Sequence, residues 1–470
     1  MRTFSRIGLA LGAAGIAIPS VSAQPRPIAW DELESTALAE LRATQTPGAA
    51  VAVVVGDSIV FAKGFGVASV ETGTPVTPDI LFRIGSTTKM LTAAALAVLR
   101  SQQKLRFDAP ISQYGSGLDP QIGRLTLHAL LSHTGGVREG TSFHGPHDDA
   151  ALPAFVRSWT AADYLFTAPD EVYSYSNPGY ALAGFVLGEA AGKPYADAMR
   201  ELLFEPLGMA RTTLRPTVAM TYPLAQGHDV VDTAGPVVVR PFADDARYWP
   251  NGSVFTSASE FARFVIAFLN GGQLAGRQAL ASSVISDLAQ PRASIPGGAA
   301  QDQGRAAYGL VVRDYRGVQV LQHGGNRLGF GSVVRMAPRH RVAVIILTNR
   351  TGVFLPNTLE KASELVLPLQ PRVPAAPTQT IPMTSTEMAG YTGRYLNQPA
   401  ELDLELFVRN DTLMMRRPGA TQASSVMKIG EGRFATSGQE LILLAGPDGA
   451  PEYLHIAGRA LRRVRSAQVH

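Results

Sequence analysis

Residues 81–99 read LFRIGSTTKMLTAAALAVL, a serine and lysine pair followed by a long apolar run. Met90 to Leu99 is apolar on nearly every face, which predicts a helix buried in the middle of a domain. Ser86 and Lys89 are three residues apart, so on the first turn of this helix the lysine amine can reach the serine hydroxyl. The first turn also leaves backbone N–H groups free for a ligand. The stretch therefore predicts a buried helix that begins at a cleft, with Ser86 as a candidate nucleophile.

The Ser-x-x-Lys spacing alone is a weak signal, because three of the six lysines in the chain have a serine three positions earlier. Ser101 and Lys104 lie at the polar end of the apolar run, and Ser425 and Lys428 lie in a β-rich tail, so we expect these pairs at the surface. For Ser86 the alternative role is a plain helix cap, since serine is a favoured N-cap residue. The other motifs of the chain are needed to choose between a nucleophile and a helix cap for Ser86.

A second motif is Tyr175-Ser176-Asn177, in a predicted loop before the apolar stretch Tyr180 to Leu187. A tyrosine and an asparagine two residues apart on an extended segment can both face one cleft. The alternative for Tyr175 is an aromatic ring packed beside Tyr173 and Tyr180. Tyr395-Leu396-Asn397 repeats the pattern, but it opens the C-terminal part of the chain, where we expect a structural role.

A third motif is His323-Gly324-Gly325, at the end of a predicted strand from Val318 to Gln322. Glycine beside a hydrogen-bonding residue on a strand lets the backbone of a substrate approach closely. His133-Thr134-Gly135 is a rival match, but it lies in a loop between the first two motifs and is therefore out of order.

The order of the three motifs is more specific than any one of them. Ser86 precedes Tyr175 by 89 residues, and Tyr175 precedes His323 by 148. In this order and spacing the sequence resembles the serine β-lactamase and penicillin-binding superfamily, in the branch of class C β-lactamases, DD-peptidases and related esterases. The runs Leu130 to Gly136 and Pro206 to Met209 support the resemblance, which covers roughly residues 30–365. A weaker likeness relates the C-terminal part to the β-barrel appended to some of these hydrolases.

The expected fold is α+β, an antiparallel sheet flanked by helices with a helical subdomain, plus a small all-β C-terminal domain. Ala49 to Ala62 reads as a hairpin around a Gly-Asp turn, and Ser332 to Met336 and Val342 to Thr348 are short apolar strands at the far end of the domain. Strands at both ends with helices between them indicate a sheet whose core is closed by the two ends of the domain.

The resemblance implies a serine hydrolase that forms an acyl-serine intermediate on amide or ester bonds. It implies Ser86 as nucleophile and Lys89 and Tyr175 as proton carriers, with the choice of base between them left open. Substrate contacts would come from Asn177, His323, Gly324, Gly325 and the backbone N–H of Asn326, which with that of Ser86 would hold the oxyanion. His323 stands where many relatives have lysine. This favours a DD-peptidase, D-aminopeptidase or esterase over the alternatives, a class C-like β-lactamase or a non-turnover penicillin-binding or sensor protein.

Four segments are predicted along the chain: a signal peptide over 1–23, the hydrolase domain over 24–370, a Pro-rich linker over 371–384 and the small domain over 385–470. Arg2 and Arg6, the apolar run Ile7 to Ile18 and small residues before Gln24 are typical of a secretory signal. We therefore expect an exported protein, periplasmic or secreted, without a membrane span after cleavage, because no later apolar run approaches about 18 residues.

The composition of the chain excludes several kinds of chemistry and partner. The chain has no cysteine, so neither a disulfide nor a thiol nucleophile is available. The formal charge of +4 includes Arg2 and Arg6, and so small an excess argues against nucleic acid as a partner. The expected substrate is a small molecule or a short peptide or ester, with no cofactor and no metal, and the oligomeric state is left open. A metal hydrolase is a minor alternative, prompted by a cluster that reads better as a solvated loop: His144, His147, Asp148 and Asp149.

Overall fold

The computed structural model describes residues 28–231, 235–297, 303–373, 379–397 and 403–464. The predicted signal peptide, residues 1–23, lies outside the described residues, and so do residues 374–378 of the predicted linker. The domain boundary at 371–384 stays a prediction. In the described ranges, no helix has both the length and the apolar character that crossing a membrane requires.

The larger part of the chain is built around an eight-stranded antiparallel sheet. The predicted hairpin forms two of its strands, and Gly48–Val55 pairs with Val342–Thr348 over seven residue pairs. The sheet is therefore closed by strands from both ends of this part, as predicted. From edge to edge the strands are Ser58–Gly66, Gly48–Val55, Val342–Thr348, Phe330–Ala337, Val318–Arg327, Leu310–Tyr315, Arg305–Ala307 and Ala293–Ser294.

Both faces of this sheet are covered, which explains why its central strands read as unbroken apolar runs. Every residue of Val342–Thr348 is buried. Val344 and Ile346 face helices Trp30–Ala43 and Pro356–Val366. The residues between them face the main core, to which helix Ala258–Leu269 belongs.

The helical part surrounds Thr88–Ser101, which contains the predicted helix Met90 to Leu99 and is buried along most of its length. It packs against Asn177–Ala191, Trp249–Gly252 and Ser282–Ala289. The helical bounds are Trp30–Ala43, Thr88–Ser101, Leu127–Leu131, Ala151–Arg157, Ala161–Tyr164, Asn177–Ala191, Tyr195–Met199, Pro216–Ala219, Trp249–Gly252, Ala258–Leu269, Ser282–Ala289, Pro356–Val366 and Ser385–Tyr391.

Three small two-stranded sheets complete this part. They pair Phe82–Arg83 with Phe255–Thr256, His228–Val230 with Pro236–Val238, and Gln273–Leu274 with Arg277–Gln278.

The C-terminal part is a nine-stranded antiparallel sheet that nearly closes on itself. Its two edge strands, Ser424–Ser425 and Met427–Gly430, are separated in sequence only by Val426, which is buried. The α+β class with a small all-β C-terminal domain is thus confirmed. In sheet order the strands are Ser424–Ser425, Thr412–Arg416, Leu404–Arg409, Gly393–Leu396, Arg459–Arg463, Pro451–Ile456, Gln439–Ala445, Arg433–Thr436 and Met427–Gly430.

Candidate active site

Ser86 lies on a single 3₁₀ turn, Gly85–Thr87, that leads into helix Thr88–Ser101. Two glycines bring this turn against the sheet. A Cβ on Gly85 would lie 2.8 Å from the backbone of Asn326, and a Cβ on Gly325 would lie 1.9 Å from the Ile84 carbonyl oxygen. Gly85 also has φ of +49°, which side chains rarely adopt. The backbone of Asn326 therefore passes directly beside Ser86.

Lys89 is fully buried one turn further on, with its amine at the hydroxyl of Ser86. Its Nζ lies 3.1 Å from Oγ of Ser86, and it donates to Oδ1 of Asn177 at 2.7 Å and to the Asn251 carbonyl at 2.8 Å. No carboxylate of the described chain forms an ion pair with it. Burial lowers the pKa of Lys89 well below its ordinary value, and the charges of Arg459 and Arg327 act in the same direction.

Tyr175 completes the group around the serine. Its ring centre lies 4.8 Å from Nζ of Lys89, and its phenol lies close enough to the hydroxyl of Ser86 to interact with it. The ring stacks on His133 with 4.4 Å between ring centres. Burial raises the pKa of Tyr175 above its ordinary value, and the interaction with Ser86 offsets only part of that rise. At neutral pH the phenol therefore carries its proton.

Asn177 is the first residue of helix Asn177–Ala191, not part of an extended loop as predicted, because Ser176 caps the helix by accepting from Gly179 N at 3.0 Å. Glu139 orients the Asn177 amide, accepting from Nδ2 at 2.7 Å and from the backbone N at 3.2 Å. With Nδ2 engaged in this way, Oδ1 is the atom left to face Lys89. Sequence reasoning missed Glu139, which follows the Leu130 to Gly136 run without a local signal.

The third motif lies inside a strand and not at its end, since the strand runs from Val318 to Arg327. Gly325 points toward Ile84, while Gly324 and Asn326 line the cleft. The ring centre of His323 is 6.4 Å from that of Tyr175. Burial lowers the pKa of His323 to about 4. The imidazole is therefore neutral at pH 7.

The C-terminal sheet supplies one wall of the cleft, which the sequence did not indicate. The hairpin turn between its strands Pro451–Ile456 and Arg459–Arg463 reaches Tyr175, whose backbone N donates to the Gly458 carbonyl at 2.9 Å. The guanidinium of Arg459 lies 5.0 Å from the Tyr175 ring centre and 3.7 Å from Oε2 of Glu139. The sequence of a hairpin turn does not indicate which distant residue the turn will contact, so the contact with Tyr175 could not be predicted.

Asn397 joins the two parts at the same point. Its Oδ1 accepts from Glu139 N at 3.2 Å, and its Nδ2 donates to the Ala460 carbonyl at 2.8 Å. The expected structural role of the Tyr395-Leu396-Asn397 repeat therefore includes docking of the C-terminal sheet against the cleft.

These groups line a cleft of about 760 Å³. Ser86, Tyr175, Asn177, His323, Gly324 and Asn326 all contribute to its wall, so the cleft collects residues from all three motifs. Lys89 lies behind Ser86. Gly325 allows the strand Val318–Arg327 to pack closely against the turn Gly85–Thr87.

The rival motifs fall elsewhere or act indirectly. Ser101 and Ser425 are exposed, as predicted. His133 is buried behind Tyr175, where its Nδ1 accepts from Ser176 N at 3.1 Å.

The side chains of the candidate metal cluster in the sequence do not converge on one site in the described structure. His147 binds Asp244 at 2.9 Å, and Asp149 binds Arg215 at 2.8 Å. Among the described residues, no group of three histidine, cysteine or acidic side chains is placed to hold a metal ion.

Comparison with known proteins settles the family. The model of the beta-lactamase family matches residues 31–365, which is more than two thirds of the chain. The chain belongs to the beta-lactamase family. It is a serine hydrolase of the beta-lactamase-related type.

Two curated relatives illustrate the range of the family. Penicillin-binding protein 4 of Amycolatopsis lactamdurans is 29% identical over 361 residues, covering 73% of this chain and 92% of the relative. Unguisins hydrolase ungD' of Aspergillus campestris is 29% identical over 327 residues, covering 65% of this chain but only 59% of the relative.

Solved structures extend the likeness in fold to the C-terminal sheet. SurE superposes with a TM-score of 0.74 at 22% identity, covering 92% of this chain and 98% of SurE. A beta-lactamase/D-alanine carboxypeptidase of Pseudomonas syringae has a TM-score of 0.60 at 21% identity and covers 73% of this chain and 100% of its own.

Proposed function

We propose that this hydrolase cleaves amide or ester bonds through an acyl ester on Ser86, with neutral Lys89 as the base. One observation carries the proposal. A neutral amine has two N–H donors and one lone pair, and two acceptors, Asn177 Oδ1 and the Asn251 carbonyl, take the donors. The lone pair then faces the Ser86 hydroxyl at 3.1 Å.

Acylation follows from this arrangement. Lys89 takes the proton of Ser86 as Oγ attacks the substrate carbonyl. Tyr175 donates its proton to the leaving amine or alcohol, and the proton that Lys89 took from Ser86 replaces it, so that both side chains return to their starting states. The raised pKa of Tyr175 favours this role over that of an ionised base. The choice that the sequence leaves open is therefore resolved, in this proposal, in favour of Lys89.

The developing oxyanion would be held by the backbone N–H groups of Ser86 and Asn326. Gly85 and Gly325 support this assignment because they bring the 3₁₀ turn and the strand close together. In the second half of the reaction water would attack the acyl ester, and Tyr175 would take a proton from this water while it passes its own proton to the departing oxygen of Ser86, so that Ser86, Tyr175 and Lys89 end in their starting states.

We favour a DD-peptidase, D-aminopeptidase or esterase over a β-lactamase. Neutral His323 offers a hydrogen bond where a lysine would offer a charge, so it gives weaker attraction to the carboxylate of a β-lactam. Two curated relatives, a penicillin-binding protein and a hydrolase of unguisins, support this choice, whereas proteins named beta-lactamases are also among the similar ones and support the alternative. A class C-like β-lactamase and a non-turnover penicillin-binding protein are the alternatives.

The test is a screen of the purified protein against D-alanyl peptides, short-chain esters and a chromogenic β-lactam, beside Ser86→Ala. We expect turnover of a peptide or ester that Ser86→Ala abolishes while its thermal unfolding stays unchanged. Fast turnover of the β-lactam alone would favour the first alternative, and stable labelling without turnover would favour the second.

A further inference from the structure

Arg327 is a buried cation without a full set of partners. It ends the strand that carries His323 and Asn326, it is 2% exposed, and it lines the cleft. Its Nε and Nη2 atoms are buried and have no hydrogen-bond partner in the part of the chain that the structure describes. Buried donors nearly always find acceptors, and a buried charge without one is costly. The site therefore lacks an acceptor that a ligand could provide.

The nearby carboxylates are already engaged. Asp244 accepts from Nη2 of Arg83 at 3.0 Å, from His147 and from Trp249. Asp245 forms an ion pair with Arg247 at 2.6 Å. Neither forms an ion pair with Arg327 in the described structure. Burial lowers the pKa of Arg327 to about 10, which still leaves it charged at neutral pH.

The position of Arg327 on the strand shows which part of a substrate would meet it. His323 lies beside Tyr175, the proposed proton donor to the leaving group. Arg327 is four residues further along, about 13 Å at the rise of an extended strand. Asn326, whose N–H would hold the oxyanion, lies between them. Arg327 is therefore on the side away from the leaving group, where the acyl portion would extend.

We propose that Arg327 and Phe143 form an acyl-side subsite for a substrate whose acyl portion ends in a carboxylate. The inference rests on the proposed function, because it takes Ser86 as the point of acylation. A guanidinium binds a carboxylate through paired hydrogen bonds. The Phe143 ring, 5.3 Å from the Arg327 guanidinium carbon, would pack on the intervening methylene chain. Among the described residues that line the cleft, Glu139 is the one carboxylate, whereas Arg327, Arg417 and Arg459 are cations.

The test compares two esters that differ only in charge, p-nitrophenyl hydrogen glutarate and p-nitrophenyl methyl glutarate, each corrected for spontaneous hydrolysis. The wild-type protein should give a kcat/KM for the acid about 10- to 100-fold above that for the methyl ester. Equal values, or a preference for the methyl ester, would overturn the subsite. Loss of all turnover in Ser86→Ala supports the proposed function whatever the preference.

Variants assign the preference to one residue. Arg327→Met should bring the ratio of the two kcat/KM values close to one, and Arg327→Lys should restore part of it. Arg417→Met is the matched control, because Arg417 is an exposed arginine at the same cleft, and it should keep the ratio. An equal fall in both methionine variants would mean a general positive field and would contradict the subsite.

A binding measurement keeps the subsite testable without turnover. Calorimetry on Ser86→Ala should show binding of glutarate that is weakened about tenfold or more in the Ser86→Ala, Arg327→Lys double variant. Glutarate binding unaffected by the change at Arg327 would contradict the proposal. Failure of the native protein to cleave either ester, with Arg327-dependent glutarate binding intact, would instead count against the proposed function alone.

Discussion

At the scale of single residues, the proposed mechanism depends on an uncharged amine at Lys89. Lys89→Arg keeps a cation of similar reach that cannot lose its proton, so it should lower kcat/KM for ester hydrolysis by roughly a hundred- to ten-thousand-fold. Tyr175→Phe keeps the ring on His133 and should lower kcat with little change in the unfolding temperature. Steady-state kinetics measures the activity of the two variants, and thermal melts measure their stability. Near wild-type activity in Lys89→Arg would exclude Lys89 as the base.

The charges around Lys89 also set the pH profile. Ionised Glu139 raises the pKa of Lys89, opposing the dominant effect of burial, whereas Arg459 and Arg327 lower it. In the proposed mechanism the neutral amine is the active form, so activity should rise with pH as Lys89 loses its proton. Glu139→Gln should therefore move the acid limb of kcat/KM to lower pH, and an acid limb that moves to higher pH would contradict this sign.

At the scale of elements, the site depends on close contact between the Gly85–Thr87 turn and the Val318–Arg327 strand. Gly325→Ala would place a methyl 1.9 Å from the Ile84 carbonyl oxygen and should cost about 1–3 kcal/mol of unfolding free energy, with loss of activity. Gly390→Ala is the control, because a Cβ there meets nothing within 4 Å and alanine favours helix Ser385–Tyr391. Urea unfolding measures both, and an equal stability of the two variants would show that the turn and the strand tolerate separation.

Elements with strong local patterns could be predicted from the sequence. The strand Val342–Thr348 has the predicted bounds, because it is covered on both faces and reads as one apolar run. The strand of the third motif is longer than predicted, since His323-Gly324-Gly325 lacks the side chains that mark a strand although its backbone pairs with Phe330–Ala337. Glu139 and the Asn251 carbonyl carry no local signal, because their contacts with Asn177 and Lys89 exist only once the helices have packed.

At the scale of the whole molecule, the C-terminal sheet takes part in the site as well as in the fold. Tyr453 binds Thr167 at 2.6 Å and Glu171 at 2.8 Å, which fixes the sheet beside the loop before Tyr175. Arg459→Ala should lower kcat/KM and move the acid limb to higher pH, because a positive charge that lowers the pKa of Lys89 is lost. Arg462→Ala is the control, since Arg462 lies on the same strand and binds Glu452. Equal kinetics for the two variants would assign the C-terminal sheet a purely structural role.

The most direct measurement of the central proposal is the position of the acyl group during turnover. Acid quenching with a p-nitrophenyl ester, trypsin digestion and tandem mass spectrometry would examine the short peptide Ile84 to Lys89. We predict an added acyl mass on Ser86, absent from the Ser86→Ala protein. Acyl mass on another residue, or continued turnover by Ser86→Ala with no acylated peptide, would contradict the proposed mechanism.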